Sequence, residues 1–485
     1  MHGLLARAAR DHPDAVAVRD RRGDLTHADL WALGSDAAAR LVARGVRPRD
    51  RVLLRLANSR EFVVLLQAVL RVGAVAVPVS PALKAPQVVG IVVDCEPALC
   101  VVEAGDTALG RGGVQVVEVA ELLSAAAGSL ELEEPDVAAD DVAFLVYTSG
   151  STAAPKGVVC PHERVVFAAR AIAERVGYRD DDLVYGRLPF SFDYGLYQIL
   201  LTALAGAALV LPGDSPDVLA LNQIRSFGVT VVPVVPPLAA LLALAALRDR
   251  GPTRVRRFTN TGAELTAEHA RRLRKAFPGA DVLTMYGMTE CKRVTISGPD
   301  DELRRPGSVG TPLRGTSVVV VGESGAPAAP GSVGEIVVRG PHVMAGYWRA
   351  PEETARRYRP DRATGGTALH TGDYGWIDEA GDLHLVGRRD DILKRRGVRI
   401  STTEVEAAAL AVPGVVEAAV SDVPGQGLLL WFTGAVDVEG VRSGMAALLD
   451  AARLPDRVLR CDELPRTVHG KVDKRALAEH AAQTG

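Results

Sequence analysis

The sequence predicts an α/β fold of layered, largely parallel sheets, followed by a more antiparallel β unit and a small α+β domain. At 485 residues the chain is long enough for two to four domains, given roughly 150 residues per domain. Short Val/Ile/Leu-rich runs alternate with alanine-rich helical segments through most of the chain, which is typical of sheets buried on both faces. Near Ser317 the runs become separated by Gly and Pro, which indicates hairpins.

The amino-terminal elements follow this alternation. RVLLRLA predicts a strand, a helix follows from about Glu61 to Val72, and AVAVPVS predicts the next strand. The longest apolar stretch, Val229 to Leu247, contains three prolines. We interpret it as a buried strand, VTVVPVV, running into a helix, PPLAALLALAAL, and therefore expect no membrane-spanning segment.

The last third predicts a β unit and then a separate small domain. The runs SVVVVGE, GEIVVRG and DLHLVGR carry hairpin-type signals. The charged stretch GRRDDILKRRGVRI leads into a capping box of Ser401 and Glu404, which opens a helix. An alternating strand, VVEAAVSDV, and a final helix after Asp473 follow. We place a large N-terminal domain at 1–386 and a small C-terminal domain at 387–485.

The composition indicates a globular protein of a reducing compartment. Its 48% hydrophobic and 24% charged residues fit a packed fold, and a net charge of -3 gives no general attraction to nucleic acid or an anionic membrane. The five cysteines are scattered without metal-ligand spacing, and the first residues lack the apolar core of a signal peptide. We therefore expect a cytoplasmic protein. Only seven of its 56 basic residues are lysine, so Lys156 and Lys471 stand out.

The most informative stretch is YTSGSTAAPKG, residues 147–157, directly after the apolar run VAFLV. A strand that feeds such a loop can offer backbone N–H groups, several hydroxyl donors and one cation to a polyphosphate. The spacing is not that of a Walker A loop, and a solvated turn is the alternative interpretation. The candidate phosphate-binding residues are Thr148, Ser149, Gly150, Ser151, Thr152 and Lys156.

With this loop, the chain resembles the AMP-forming adenylating superfamily, which contains acyl-CoA synthetases, peptide-synthetase adenylation domains and beetle luciferases. The other motifs, in the family's order, are VGAVAVPVSP (72–81), FSFDYG (190–195), NTGAEL (260–265), YGMTE (286–290), GEIVVRGPHVMAGYW (334–348), TGD (371–373), GRRDDILKRRGVRI (387–400) and PRTVHGKVDKRAL (465–477). The resemblance covers nearly the whole chain and is strongest towards stand-alone amino-acid–carrier protein ligases. It implies a large domain of layered α/β/α sheets with a β-barrel-like unit, and a small mobile α+β domain.

The resemblance also implies the chemistry: a carboxylate attacks the α-phosphate of ATP, pyrophosphate leaves, and the acyl-adenylate passes its acyl group to a thiol. The loop would hold the β- and γ-phosphates, Thr289 the α-phosphate, and Glu290 the Mg²⁺. A lone carboxylate suits Mg²⁺, which takes its other oxygens from water and phosphates. Alanine stands at Ala153, where the family usually has glycine, and would strain the loop if that position needs a positive φ. The remaining nucleotide-binding residues implied are Gly262, Ala263, Glu264, Tyr286, Gly287, Asp373 and Arg388.

Lys471 resembles the family's C-terminal catalytic lysine, which would bridge the carboxylate and α-phosphate oxygens as charge develops. The basic run before it resembles a hinge centred on Asp390 rather than a nucleic-acid patch. Rotation there would exchange Lys471 for the loop at Gly397 between adenylation and thiolation.

The acid is less well determined than the reaction. Phe192 would border the carboxylate, and Asp193 lies where amino-acid-activating members carry the aspartate that holds the substrate ammonium. A buried carboxylate without a cationic partner is costly, so a fatty acid would suit this pocket poorly. By position, Arg293 meets a second carboxylate, as in an acidic or β-amino acid, or bonds protein groups. The remaining expected pocket residues are Tyr194, Tyr197 and Met285.

The thiol is expected to come from a separate molecule. The chain ends about eight residues after Leu477, so we expect an acyl or peptidyl carrier protein, or coenzyme A, in trans. An acyl-CoA or aryl-CoA ligase on the same scaffold is the nearest alternative. A non-catalytic nucleotide-binding relative is another, and Ala153 is its only support.

Overall fold

The computed structural model describes residues 1–109, 114–124, 135–148, 155–361, 365–388, 392–395, 398–423, 425–449, 451, 453–467 and 472–484. The first elements are α1 (His2–Asp11), β1 (Val16–Asp20), β2 (Gly23–Thr26), α2 (His27–Ala43), β3 (Arg51–Arg55), α3 (Arg60–Val72), β4 (Val75–Pro78), α4 (Ala85–Cys95), β5 (Leu99–Val102), β6 (Val116–Glu118), α5 (Val119–Leu123), β7 (Val142–Thr148) and β8 (Lys156–Pro161).

The next elements are α6 (His162–Val176), β9 (Leu183–Tyr185), α7 (Asp193–Ala205), β10 (Ala208–Val210), α8 (Ala220–Phe227), β11 (Val231–Val234), α9 (Pro236–Arg248), β12 (Arg257–Asn260), α10 (Ala267–Ala276), β13 (Asp281–Tyr286), β14 (Thr295–Ile296), α11 (Asp301–Arg304) and β15 (Thr311–Pro312). Then follow β16 (Ser317–Val321), β17 (Gly334–Arg339), α12 (Pro351–Arg357), β18 (Tyr358–Pro360), β19 (Thr367–Ile377) and β20 (Leu383–Arg388). The last are β21 (Ile392–Arg395), β22 (Val398–Ser401), α13 (Thr402–Ala411), β23 (Val415–Val423), β24 (Gly427–Gly434), α14 (Val438–Ala446), β25 (Arg457–Arg460) and α15 (Lys474–Thr484).

Two largely parallel sheets form the centre of the fold, as the alternation predicts. The order of the first is β6-β5-β3-β4-β7-β8, in which only β7 and β8 pair antiparallel. The order of the second is β15-β14-β13-β12-β11-β9-β10-β1-β2, which is parallel from β13 to β1 and antiparallel at both edges.

Both sheets are buried on two faces, which explains their continuous apolar runs. Along β3, Val52 and Leu54 face the core between the sheets, whereas Leu53 faces a cluster that includes residues of α4. The shared core contains residues of α2, α3, α6 and α7, so these helices lie between the sheets. Helices α8, α9 and α10 cover the outer face of the second sheet.

Local signals set the helix starts. Helix α3 begins at Arg60, one residue before the predicted start, because the Ser59 hydroxyl accepts from the Phe62 N–H at 3.2 Å. Helix α9 begins with two prolines, whose fixed φ suits the first turn. Among the described residues, no helix is both long and apolar enough to cross a membrane.

The β unit after Ser317 is antiparallel, as predicted: its order is β16-β17-β19-β18, with β20 also paired to β19. The three strands β23, β24 and β25 then form a small sheet with α13 and α14 on one face and α15 on the other. Strand β20 runs to Arg388, two residues beyond the predicted end of the large domain. The boundary at 386/387 stays a prediction.

Candidate active site

Two of the predicted motifs meet where β12 and β13 end. These strands are parallel neighbours, with Asn260 beside Thr284, so the NTGAEL and YGMTE turns leave the same edge of the sheet. Ligands of open α/β sheets bind outside such carboxyl ends. Gly262 has a φ of 87°, and a Cβ there would lie 3.1 Å from Phe192 Cζ. Glycine therefore allows the FSFDYG aromatic to lie against this turn, on which Ala263 and Glu264 are exposed.

The residues expected to hold the nucleoside also come together. The Tyr286 hydroxyl donates to Asp373 Oδ2 at 2.7 Å. Asp373 lies within β19 rather than in a turn, and its N–H donates to the Thr371 hydroxyl at 3.0 Å. Arg388 stands opposite Asp373 in the register of β19 and β20, and its backbone alone is described.

The ends of the phosphate loop are adjacent because β7 and β8 pair antiparallel, with Thr148 beside Lys156. The Trp348 N–H donates to the Gly157 carbonyl at 2.7 Å, which ties β8 to the GYW segment. The expected phosphate residues Ser149, Gly150, Ser151 and Thr152, and the departure at Ala153, lie outside the described residues.

Glu290 is buried, and the Tyr347 hydroxyl donates to its Oε1 at 2.5 Å. Burial and the neighbouring Glu290 charge raise the pKa of Tyr347, so it remains a hydroxyl donor. Lys156 Nζ lies 5.8 Å from the Tyr347 ring centroid, and Thr289 is buried beside Glu290. Tyr347 thus lies between the predicted metal carboxylate and the loop lysine.

The donor set around Glu290 fits a magnesium ion held jointly with phosphates. No group of three His, Cys, Asp or Glu side chains within the described ranges could hold a metal by itself. Mg²⁺ keeps several waters and is bound through one or two carboxylates together with substrate phosphates.

The expected acid pocket contains a buried ion pair. Arg293 Nη1 lies 3.1 Å from Asp193 Oδ2, and the two side chains are 4% and 3% exposed. Asp193 therefore has a cationic partner in the protein, so the premise that it is a buried carboxylate without one is wrong, and the argument against a fatty acid that depends on this premise no longer holds. Sequence could not show this contact, because the residues are a hundred positions apart. Arg293 also lies over the Tyr194 ring, 4.8 Å from its centroid.

The other residues expected to line the acid pocket are Tyr194, Tyr197 and Met285, and only one of the two tyrosine hydroxyls is hydrogen-bonded among the described residues. The Tyr194 hydroxyl donates to the Thr259 carbonyl at 2.5 Å, so it anchors α7 to β12 while its ring supports Arg293. The Tyr197 hydroxyl is buried without a hydrogen-bond partner in the described part of the chain, and burial raises its pKa well above the usual value. Met285 is buried on β13.

Lys292 is the functional candidate that sequence reasoning missed. Its side chain is 0% exposed, with Nζ 3.3 Å from Cys160 Sγ and 5.6 Å from the Tyr197 ring centroid. Its φ of 65° belongs to a tight turn, in which a Cβ on Gly287 would lie 2.0 Å from the Lys292 carbonyl oxygen. The scarcity of lysine and the position next to YGMTE are the signals that could have identified it.

Two further predicted residues, Lys471 and Asp390, lie outside the described residues, as does Gly397. Their roles stay predictions.

The chain belongs to the family described as AMP-binding enzyme, whose model matches residues 5–348. The L-proline–[L-prolyl-carrier protein] ligase of Pseudomonas fluorescens is 31% identical over 99% of this chain and 98% of its own length. The oxalate–CoA ligase of Arabidopsis thaliana is 30% identical over 99% of this chain and 98% of its own length. The chain is thus an AMP-forming ligase that activates a carboxylic acid with ATP.

Solved structures agree with this assignment. ATP-bound MatB from Rhodopseudomonas palustris is 29% identical to this chain and superposes on it with a TM-score of 0.88. The match covers 100% of this chain and 99% of the MatB chain. VinN is 42% identical, covers 80% of this chain and 98% of its own, and has a TM-score of 0.73. In a complex with L-aspartate, VinN is 40% identical, covers 80% of this chain and 98% of its own length, and has a TM-score of 0.72. The α/β fold with a large N-terminal and a small C-terminal domain is confirmed.

Proposed function

We propose that this enzyme adenylates an acidic amino acid and transfers the acyl group to the phosphopantetheine thiol of a separate carrier protein. The observation that supports this proposal most strongly is the charge of the acid pocket. Arg293 is paired with Asp193, whereas the buried Lys292 has no ion pair among the described residues. The other carboxylate that acts on the Cys160 thiol beside Lys292 is Glu290, which is assigned to Mg²⁺, so with the metal bound the pocket would carry an excess positive charge. Burial raises the pKa of Cys160, so its thiol stays neutral and does not balance the Lys292 ammonium.

A second substrate carboxylate would offset one positive charge of this group. The ammonium of an amino acid would add one charge back, so the choice between an amino acid and a dicarboxylic acid rests on Asp193 and not on the charge balance. Buried charges are stable when paired and hydrogen-bonded, and arginine can hold a carboxylate through two parallel N–H donors. The reacting carboxylate would point towards Phe192 and the nucleotide, and the second one towards Lys292 and Arg293. Arg293 bonds protein groups, which is one of the two roles expected for it. This placement would give it the other role as well, contact with a second carboxylate, and adds Lys292 to that role.

The ammonium of the substrate is assigned to Asp193. Its free lone pairs can accept from an ammonium while Arg293 donates to Oδ2. Two relatives support an amino acid: VinN, solved with L-aspartate, and the ligase whose name specifies L-proline. Tyr194, Tyr197 and Met285 would form the remaining walls of the pocket.

On the nucleotide side, catalysis would depend on positioning and charge neutralisation. Thr148, Lys156 and the loop would hold the outer phosphates, and Glu290 a Mg²⁺ that neutralises them. Thr289 would bond the α-phosphate. The ribose hydroxyls would bond Asp373, with Arg388 beside it, and Lys471 would bond the attacking carboxylate. Adenine would lie against the residues of the two turns: Gly262, Ala263, Glu264, Tyr286 and Gly287.

A second candidate is a dicarboxylic acid–CoA ligase. A carboxylate alone would neutralise the net positive charge of the pocket, and the oxalate–CoA ligase shows that such an enzyme exists among the relatives. The two candidates differ in one substrate group, the ammonium, and in the thiol.

An ATP–pyrophosphate exchange panel tests the proposal. L-Aspartate and L-glutamate carry all the proposed groups; succinate lacks the ammonium of aspartate, and L-alanine and β-alanine each lack one of its carboxylates. We expect exchange with an acidic amino acid to exceed that with every analogue. Faster exchange with succinate would favour the second candidate, and exchange only with neutral or fatty acids would contradict both. Thioester formation with carrier protein against coenzyme A then decides the acceptor.

A further inference from the structure

The ammonium of Lys156 is held by a carboxylate outside the phosphate loop. Lys156 Nζ lies 2.7 Å from Glu353 Oε2, and the two side chains are 19% and 31% exposed. Glu353 belongs to α12, directly after the GYW segment. The cation that the proposed function assigns to the polyphosphate is therefore already paired with a carboxylate.

Glu353 is independently fixed in this position. Arg356 Nη1 lies 2.7 Å from its Oε1, so the carboxylate keeps a partner when Lys156 turns away. The Thr354 hydroxyl accepts from the Tyr347 N–H at 2.9 Å, which ties α12 to the residue beside Glu290. Hydrogen bonding to Lys156 lowers the pKa of Glu353, so it is ionised at neutral pH.

We propose that Glu353 competes with the polyphosphate for Lys156 and so promotes pyrophosphate release after adenylation. The competition requires that the Lys156 ammonium turns its N–H donors from Glu353 to the phosphate oxygens. The Glu353 carboxylate, which keeps Arg356 as a partner, then opposes the nearby phosphates with part of its charge. When pyrophosphate begins to leave, Glu353 recovers the ammonium and opposes rebinding. This inference rests on the proposed phosphate role of Lys156.

Titration of inorganic pyrophosphate and of ATP, each with Mg²⁺, into the full-length Glu353→Gln variant tests the inference. Gln keeps the shape and removes the charge. Because the pair is partly exposed, we expect binding about twofold to fivefold tighter than in wild type. Glu352→Gln is the matched control, since Glu352 is the exposed neighbour on the same helix, and its affinities should equal those of wild type.

The same titrations in a Lys156→Met background separate the inference from the proposed function. Weaker pyrophosphate binding in Lys156→Met, with no further gain from Glu353→Gln, supports both. Weaker binding in Lys156→Met together with unchanged or weaker binding in Glu353→Gln alone overturns the competition and leaves the phosphate role of Lys156 standing. Unchanged binding in Lys156→Met overturns that role and the competition with it.

Discussion

At the scale of single residues, the buried pair of Asp193 and Arg293 determines how the acid pocket can be interpreted. The types of both residues, and their positions within the motifs, were visible in the sequence. Their contact was not, because it depends on the packing of α7 against the turn after β13. With Asp193 paired to Arg293, Lys292 is a buried cation that makes no ion pair with any described residue.

Asp193→Asn is expected to lower the free energy of unfolding by about 3 kcal/mol or more, because it leaves the Arg293 charge buried and unpaired. Urea denaturation measures this. Arg293→Met in the same chain should recover most of the loss, because apolar replacement of a whole buried pair is often neutral. Asp281→Asn breaks the more exposed pair with Arg257, at 2.8 Å, and should cost less than about 1 kcal/mol. Equal costs for the two Asn variants would contradict the importance of burial.

At the scale of elements, short-range signals were sufficient for most of the fold. Strand β3 and helix α3 were predicted from apolar periodicity, and the antiparallel unit after Ser317 from Gly/Pro spacing. Asp373 is an exception: Thr-Gly-Asp is typical of a turn, yet β19 continues through it. Strand β19 pairs with β17 on one side and β20 on the other, and this pairing overrides the local preference for a turn. The local sequence around Asp373 does not show which strands will pair with it.

The GYW segment acts as an element that supports the metal carboxylate. Tyr347→Phe removes the hydroxyl that donates to Glu290, and outer-shell partners of this kind are commonly worth tenfold or more in metal affinity. We expect the Mg²⁺ concentration for half-maximal pyrophosphate exchange to rise by about tenfold. Tyr358→Phe is the control, because the Tyr358 hydroxyl is buried without a hydrogen-bond partner among the described groups. A matching rise in both variants would indicate general damage to the pocket.

At the scale of the whole molecule, the motifs predicted the family, and the topology explains how distant segments form one site. Parallel order places the ends of β12 and β13 side by side, and β19 brings Asp373 to Tyr286. The order of motifs along the chain was readable from the sequence. Which strands are neighbours was not, because pairing depends on contacts across the whole sheet.

The proposed alternation of the small domain predicts a separation of half-reactions. Lys471→Ala should abolish pyrophosphate exchange but leave acyl transfer from preformed adenylate largely intact, because the lysine would act only in adenylation. A bulky residue at Gly397 should give the reverse pattern. Exchange assays and single-turnover transfer from synthetic adenylate measure the two steps. Normal exchange in Lys471→Ala, or equal loss of both steps in the Gly397 variant, would contradict the alternation about Asp390.

The central claim is that a buried excess cation selects a second substrate carboxylate. The most direct test is to measure which acids the Lys292→Met variant activates. Met has a similar volume and no charge, and Lys275→Met, at an exposed position on α10, is the matched control. We expect kcat/KM for the preferred acidic amino acid to fall by about thirtyfold or more, the equivalent of roughly 2 kcal/mol. Exchange with L-alanine should stay the same or rise. An equal loss for both acids, or no loss for the acidic one, would contradict the account.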